Sequence, residues 1–449
     1  MATEIPEQRF ENVTCPFCGL LCDDLTISAN SQTGSLRVLE NGCPISRPAF
    51  AGLSAEATAP RIDGKSATLQ DAIARAAEIL RGARQPFIGG LATDLGGMRA
   101  ALALADRCGA VVDHMNSAAN FRNLAVLQDS GWVTTTFAEI RNRADFILVV
   151  GTDVVSRFPR FFERMVWPAE TMFAEGELAR EIVYLGAVAN VEPANVEPGA
   201  SAAGIQPGNP PSPQSSRVAC ANPDLGEVIG ALRMLINGRA LAVDAVAGVP
   251  RATLRALAAK IRDATYGVAI WAAADLDFPH AELTVQSLCE MLKDLNRTGR
   301  FCGLPLGGSD GDLTANQVSA WQSGYALRTS FGRGYPSYDP YHHSSQRLLA
   351  ANEIDALIWI SSFDTRRLPP PTDARTIVLG RIGMTFEREP QVYIPIATPG
   401  ADHVGHLFRS DNVVALPLRK LRNTRMASAA DILTAIENKF SFEEQAAEE

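Results

Sequence analysis

Four cysteines within the first 43 residues constrain this chain more than any other feature. Cys15, Cys18 and Cys22 form a C-x2-C-x3-C pattern, and Cys43 follows 21 positions later. The first three converge from one compact turn, and the fourth returns after what reads as a short hairpin. Four thiolates so spaced suit one tetrahedral Zn²⁺ or a [4Fe–4S] cluster, since both take soft sulfur donors at four corners. Disulfides are the alternative, but they belong with small secreted domains. This chain is 449 residues long and reads without an export signal over Met1–Glu7. The spacing predicts a metal centre at the N-terminus.

A chain of this length has room for roughly three domains and a large core. Its 41 basic and 50 acidic residues leave a net charge of −9, with no Lys/Arg run. That argues against nucleic acid or an anionic membrane as a partner. No apolar stretch approaches the length that spans a bilayer. The other cysteines, Cys108, Cys220, Cys289 and Cys302, sit in apolar surroundings and read as reduced core residues of a cytoplasmic protein.

Past the cysteine segment, short apolar runs alternate with amphipathic stretches. Strands are expected at 86–90, 110–113, 145–151, 182–185, 267–271, 356–360 and 376–379, with helices through Met98–Leu104 and from His280 to Leu295. Apolar runs of this length separated by helices imply βαβ units and a parallel sheet, hence an α/β fold. Residues 190–216 break the rhythm: Asn190–Pro193 repeats as Asn195–Pro198, and Gly and Pro crowd the stretch after it. This reads as an extended or disordered surface insertion. From Val392 onward the chain reads as loop-rich, with an acidic tail (Glu443, Glu444, Glu448, Glu449) expected to fray. The expected segments are a Cys-rich domain (1–60), a Rossmann-like α/β domain (61–189), the insertion (190–216), a second α/β domain (217–390) and the C-terminal segment (391–449).

Candidate chemistry beyond the cysteines is sparse. The run Asp113–Asn120 follows a predicted strand, at the edge where open parallel sheets bind ligands, yet its side chains are small and weakly nucleophilic. Gly151-Thr152-Asp153 reads as a helix cap, with contact to a polar ligand as the alternative. Gly303–Gly311 is rich in glycine but matches neither G-x-G-x-x-G nor the P-loop, and reads as an irregular loop. Tyr338, Tyr341, His342 and His343 read as loop packing or a subunit contact. His403 and His406 lack a third ligand of clear spacing. No Ser-His-Asp order, H-E-x-x-H or carboxylate dyad stands out. Spacing alone reaches an α/β protein with a cysteine metal site.

The opening Cys15-Pro16-Phe17-Cys18-Gly19-Leu20-Leu21-Cys22-Asp23-Asp24 resembles the N-terminus of the B subunit of formylmethanofuran dehydrogenase, in the molybdopterin oxidoreductase superfamily. The similarity continues at Leu127–Gly131, Asn142–Asp145, Phe158–Arg160, Ala315–Val318 with Trp321, Gly324 and Tyr325, and Gly332–Pro336. It closes at Asp402-His403, Arg409–Asn412 and Pro417–Lys420, in the same order over nearly the full chain. The resemblance implies a molybdopterin-oxidoreductase-like fold, akin to formate dehydrogenase and DMSO reductase domains 1–3. Parallel sheets flanked by helices would carry a small Cys-rich N-terminal domain.

In the redox enzymes of this family, the resemblance implies, the four cysteines hold a [4Fe–4S] cluster. A Cys-His pair then places a thiolate on the Mo or W of a pyranopterin. Aligning Asp113 and Ser117 puts Ala119 at that cysteine and Asn120 at that histidine. Alanine cannot ligate a metal. Leu185-Gly186 likewise stands where the family offers an acid to the cofactor's nucleotide. These departures imply that no Mo/W pterin is held and that no residue is catalytic. They resemble the branch that serves as the B subunit of the formyltransferase/hydrolase complex of methylotrophic bacteria.

The expectation is a non-catalytic structural subunit with amidohydrolase-like, formyltransferase and glutamate-synthase-like partners. Such a complex would convert formyl-tetrahydromethanopterin to formate through a formylated methanofuran-like carrier, in formaldehyde oxidation. Two other readings stay open: an active Mo/W-pterin dehydrogenase subunit with another metal ligand, and an independent small-molecule-binding α/β protein. At Cys15, Cys18, Cys22 and Cys43, Zn²⁺ is slightly preferred over [4Fe–4S], because a cluster without an electron acceptor has no redox task. Four free thiols are the third alternative.

Overall fold

The computed structural model describes residues 7–56, 58–168, 170–173, 180–187 and 214–448. The chain divides into two units, one from residues up to 117 together with those from 308 onward, the other from residues 118–307. The first unit opens with an antiparallel sheet of β1 (Glu7–Val13), β2 (Leu25–Asn30) and β3 (Leu36–Glu40), in that order. Period-2 alternation buries Leu36 and Val38 of β3; Leu25 and Ile27 of β2 and Phe50 of α1 (Ser46–Ala51) are buried as well. A short hairpin, β4 (Arg61–Ile62) and β5 (Lys65–Ser66), leads into α2 (Leu69–Arg81), where the Thr68 hydroxyl accepts the Asp71 N–H at 3.1 Å. Next come β6 (Pro86–Ala92), α3 (Leu95–Cys108) and β7 (Val111–Val112). Asp94 caps α3 by accepting the Gly97 N–H, and Gly109 ends it at φ +70°.

The second unit runs through α4 (Ser117–Asp129), α5 (Phe137–Arg143), β8 (Phe146–Val150), α6 (Val154–Arg157), β9 (Glu181–Leu185) and β10 (Gln214–Val218). It continues with α7 (Leu225–Ile236), a hairpin of β11 (Ala245–Val246) and β12 (Val249–Pro250), α8 (Arg251–Asp263), β13 (Gly267–Trp271), α9 (Ala281–Leu295) and β14 (Phe301–Pro305). Its five strands form a wholly parallel sheet in the order β10-β9-β8-β13-β14. Every residue of β8 and β13 is buried, which is why both read as unbroken apolar runs rather than alternating ones.

The chain then returns to the first unit with α10 (Asp312–Ser323), the hairpin β15 (Thr329–Ser330) and β16 (Ser337–Tyr338), α11 (Ser345–Ala350), β17 (Ala356–Ser361), β18 (Arg375–Gly380) and β19 (Val392–Pro395). A last hairpin, β20 (Gly405–Phe408) and β21 (Ala415–Leu418), precedes α12 (Ala429–Glu448). The resulting nine-stranded sheet has the order β16-β15-β7-β6-β17-β18-β19-β4-β5, parallel from β7 to β19 and antiparallel at both edges. One core joins α2, α3 and α12 to this sheet through Ile79, Leu104, Ile358, Ile432 and Ile436. A separate cluster of Phe87, Leu357, Trp359, Val378 and Tyr393 lies on the other face.

The α/β class and each expected strand are present. The expected loop-rich C-terminal segment is instead β19, a hairpin and a helix of 20 residues. Ile432, Leu433, Ile436 and Phe440 recur at helical spacing and are buried, and helix continues through Glu443, Glu444 and Glu448. Gly303, Leu304 and Pro305 are strand rather than loop. Of the expected insertion, residues 190–213 lie outside the described residues, while Gln214–Ser216 already pair with β9. The units also cut across the expected segment boundaries, because β17 pairs with β6 from far along the chain. Among the described residues no helix is long and apolar enough to cross a membrane.

Candidate functional site

In an open parallel sheet, ligands gather at the carboxyl ends of strands where the chain order reverses. In the first unit that point lies between β6 and β17, since β7 flanks β6 on one side and β18 and β19 follow β17 on the other. The cysteine loop packs here. Leu21 joins Ala92 at the end of β6, Phe363 just after β17, and Leu407 and Leu418 of the last hairpin in one buried cluster. Gly19 accepts the Ser410 N–H at 2.9 Å, and its Cα lies so close to Gly308 that a Cβ there would stand 2.7 Å away.

All four cysteines are buried, and none of them is in a disulfide. Cys15 donates its N–H to the Cys22 carbonyl at 2.8 Å, and the Ser46 N–H points at the Cys43 sulfur at 3.3 Å. Burial pushes the Cys15 thiol up, and the Cys18, Cys22 and Cys43 sulfurs push it further; Cys18 is raised in the same way, by burial and then by Cys22. The four sulfurs therefore share one neighbourhood in which charge is costly without a cation. A soft donor set with an N–H directed at sulfur fits a metal in its chemistry. Among the described residues, however, no three His, Cys, Asp or Glu side chains are gathered as a metal-holding group.

Beside the cysteine loop, the segment after β7 is locked by side chains. His114 is buried; its Nδ1 accepts the Asn116 N–H at 2.9 Å, which leaves Nε2–H to donate to the Asp310 carbonyl at 3.1 Å. Burial lowers its pKa to about 4. The Asn116 amide donates to the Ser309 carbonyl at 3.1 Å, and Asp310 pairs with Arg367 at 2.7 Å. Asp113 accepts the Ser345 N–H at 2.9 Å and faces Arg328, with burial holding its carboxyl above the usual range. These side chains bond one another and nearby backbone groups, an arrangement that fixes the loops around them.

Ala119 and Asn120 lie in the first turn of α4, both half-buried. The Asn120 amide nitrogen has no hydrogen-bond partner among the described residues. In the second unit, Asp153 forms the expected cap, accepting the Ser156 N–H at 3.0 Å. The histidines do not converge: His342 pairs with Asp339, His343 faces the Arg328 carbonyl, and His403 bonds the Val404 carbonyl. His406 is exposed on β20. Cys289 and Cys302 are buried, Cys108 and Cys220 half-buried. Asp275, Asn222 and Arg367 make contacts near strand ends that spacing does not single out. Position at the end of a parallel strand is the one available signal for Asp275.

No family model matches the chain. It is 27% identical over 425 residues to the B subunit of the tungsten-containing formylmethanofuran dehydrogenase 2 of Methanocaldococcus jannaschii, covering 91% of this chain and 93% of that one. It is 30% identical over 349 residues to the Fhc B subunit of the formyltransferase/hydrolase complex of Methylorubrum extorquens, covering 77% of this chain and 87% of that one. The chain belongs to the family of formylmethanofuran dehydrogenase B subunits and their relatives. A chain of the Methylorubrum extorquens FhcABCD crystal structure, solved in complex with methylofuran, superposes with a TM-score of 0.70 at 27% identity, over 86% of this chain and 99% of that one. Acetylene hydratase from Pelobacter acetylenicus shares the fold alone, with a TM-score of 0.60 at 8% identity over 97% of this chain and 70% of that one.

As a member of that family the chain carries the expected fold, and its Cys-rich N-terminus points to a metal cluster. The pterin-bound Mo or W of the redox members is a different matter. Ala119 supplies no thiolate, and its neighbour Asn120 no imidazole. At the end of β9, Gly186 stands against Asn222, whose amide bridges the Ala187 N–H and the Gly151 carbonyl at 3.0 and 3.1 Å. Neither Ala119 nor Gly186 carries a ligating or hydrogen-bonding side chain.

Proposed function

We propose that this chain is a non-catalytic structural subunit of a cytoplasmic formyltransferase/hydrolase complex. That complex converts formyl-tetrahydromethanopterin to formate through a formylated methanofuran-like carrier. What supports the reading is Ala119, which alignment on Asp113 and Ser117 would put where the redox members carry a metal-ligating cysteine, in a chain similar to the family over most of its length. Hydrolysis of a formyl group needs no redox centre, so loss of the thiolate is compatible with service in such a complex. Amidohydrolase-like, formyltransferase and glutamate-synthase-like subunits would be the partners. In this reading Cys15, Cys18, Cys22 and Cys43 hold one metal centre with a structural role, Zn²⁺ before [4Fe–4S].

The surface supports a partnered life. Four of the seven tyrosines fall between Tyr325 and Tyr341. Trp321, Tyr335 and Tyr341 are 62%, 55% and 69% exposed, and Tyr325 stacks on Tyr338. Exposed Trp and Tyr in such density are the composition of interface anchors, and unusual for a monomer's surface.

Purification with quantitative metal and pterin analysis tests the proposal. The expected result is co-purification with an amidohydrolase and a formyltransferase, and neither Mo, W nor extractable pterin. Stoichiometric Mo or W with pterin overturns it.

A further inference from the structure

The second unit has its own reversal point, between β8 and β13, because β9 and β10 lie beyond β8 on one side and β14 beyond β13 on the other. A crevice at the carboxyl ends of those two strands is where a sheet of this topology takes an anionic ligand. Here the gap is bridged by one side chain. Asp275, just past the end of β13, reaches the segment just past the end of β8 and uses both carboxylate oxygens there. Oδ2 accepts the Thr152 hydroxyl, and it accepts the Asp153 N–H at 3.2 Å. Oδ1 accepts Arg157 Nε at 2.6 Å, and a second guanidinium nitrogen of Arg157 is also in contact with it.

Those donors, a hydroxyl, a backbone N–H and a two-nitrogen guanidinium, are the set that recognises a phosphate or carboxylate oxygen. Thr152 is buried, so its hydroxyl has no water to turn to. The nearby acids are engaged elsewhere: the Asp153 carboxylate accepts from Ser156, and Asp277 pairs with Arg122.

We infer that Thr152, the Asp153 N–H and Arg157 form an oxyanion cradle that Asp275 fills from within, occupying the place of an anionic ligand's phosphate. The inference rests on the reading that this chain holds no pterin nucleotide, and it supplies a mechanism: the chain is its own anion. Asn222 closes the flank by tying the end of β9 to the end of β8. Removing the Asp275 carboxylate is then sufficient to expose an anion site.

The test uses the full chain and inorganic pyrophosphate, followed by isothermal titration calorimetry and thermal shift. Wild type is expected to show no saturable binding at millimolar pyrophosphate. Asp275→Ala is expected to bind at least about tenfold more tightly than wild type, as new charge-assisted hydrogen bonds form. Adding Arg157→Ala to that variant should abolish the gain. Asp275→Ser, which shortens the side chain and removes its charge, serves if the alanine variant unfolds. Equal binding by wild type, or no gain in a variant that still melts cooperatively, overturns the inference. Bound pterin in the purified wild type would overturn the functional reading as well, so the two failures are distinguishable.

Discussion

Arg422 and Asp402 form an ion pair at 2.7 Å with both side chains almost wholly buried, 3% and 2% exposed. The remaining nitrogens of Arg422 donate to the carbonyls of Gly34, Leu53 and Ser54 at 2.7–2.9 Å. Arg381 similarly binds the carbonyls of Gly52 and Phe363. Asp402 thus balances a charge whose other bonds fasten the N-terminal segment to the sheet. Arg422→Met leaves that carboxylate buried without its cation and three carbonyls without donors. A loss of about 3–5 kcal/mol is expected from breaking such a pair on one side, read from the shift in urea midpoint. A shift below about 1 kcal/mol would mean that the pair does not hold the segment.

Because arginines and a small core of Leu25, Ile27, Leu36 and Phe50 already seat the N-terminal segment, metal is not its only fastening. Cys18→Ser is expected to abolish bound metal in elemental analysis while the chain keeps a cooperative melt. Small zinc domains without such a core unfold when stripped. Complete unfolding of Cys18→Ser would show that the cysteine centre, and not Arg422, carries the attachment.

His114 makes stability depend on pH. Its folded pKa, lowered to about 4 chiefly by burial, lies below the ordinary 6.5. Between those values the unfolded chain binds the proton and the folded one does not, so stability falls as pH drops from 6.5 towards 4. The gap of roughly 2.5 units corresponds to at most about 3.4 kcal/mol at 1.36 kcal/mol per unit. Asp113 and Asp310, raised by burial, contribute with the opposite sign. Urea midpoints of wild type and His114→Gln across this window isolate the histidine: the variant should show a flatter acid-side slope. Parallel curves would contradict a neutral buried His114.

The aromatic surface should matter for assembly and not for folding. Trp321→Ser or Tyr341→Ser is expected to weaken capture of partner subunits by about 30-fold, the equivalent of a 2 kcal/mol anchor, with an unchanged melting temperature. Undiminished co-purification of a Trp321→Ser, Tyr341→Ser double variant would remove this face from the interface.

How far the sequence reaches differs by feature. Phe146–Val150 and Gly267–Trp271 are legible as strands because a strand buried on both faces is apolar throughout. Val392–Pro395 escapes such a reading because a four-residue run ending in proline gives periodicity too little to work on. The C-terminal helix has its signal in Ile432, Leu433, Ile436 and Phe440, overshadowed by the acidic residues beyond them. At the site, cysteine spacing names Cys15, Cys18, Cys22 and Cys43, since ligands drawn from one turn are local in the chain. Asp275 is invisible, for its partners Thr152 and Arg157 lie more than a hundred residues away.

The sequence by itself determined the cysteine quartet and the α/β alternation. Each is decided by which residues stand within a few positions of one another. Only the tertiary structure decided that β6 pairs with β17, that Arg422 holds the N-terminal segment, and that Asp275 bridges the ends of β8 and β13. Uniformly apolar parallel strands carry no register in their pattern, and a buried charge reveals its partner only once the chain has brought the two together.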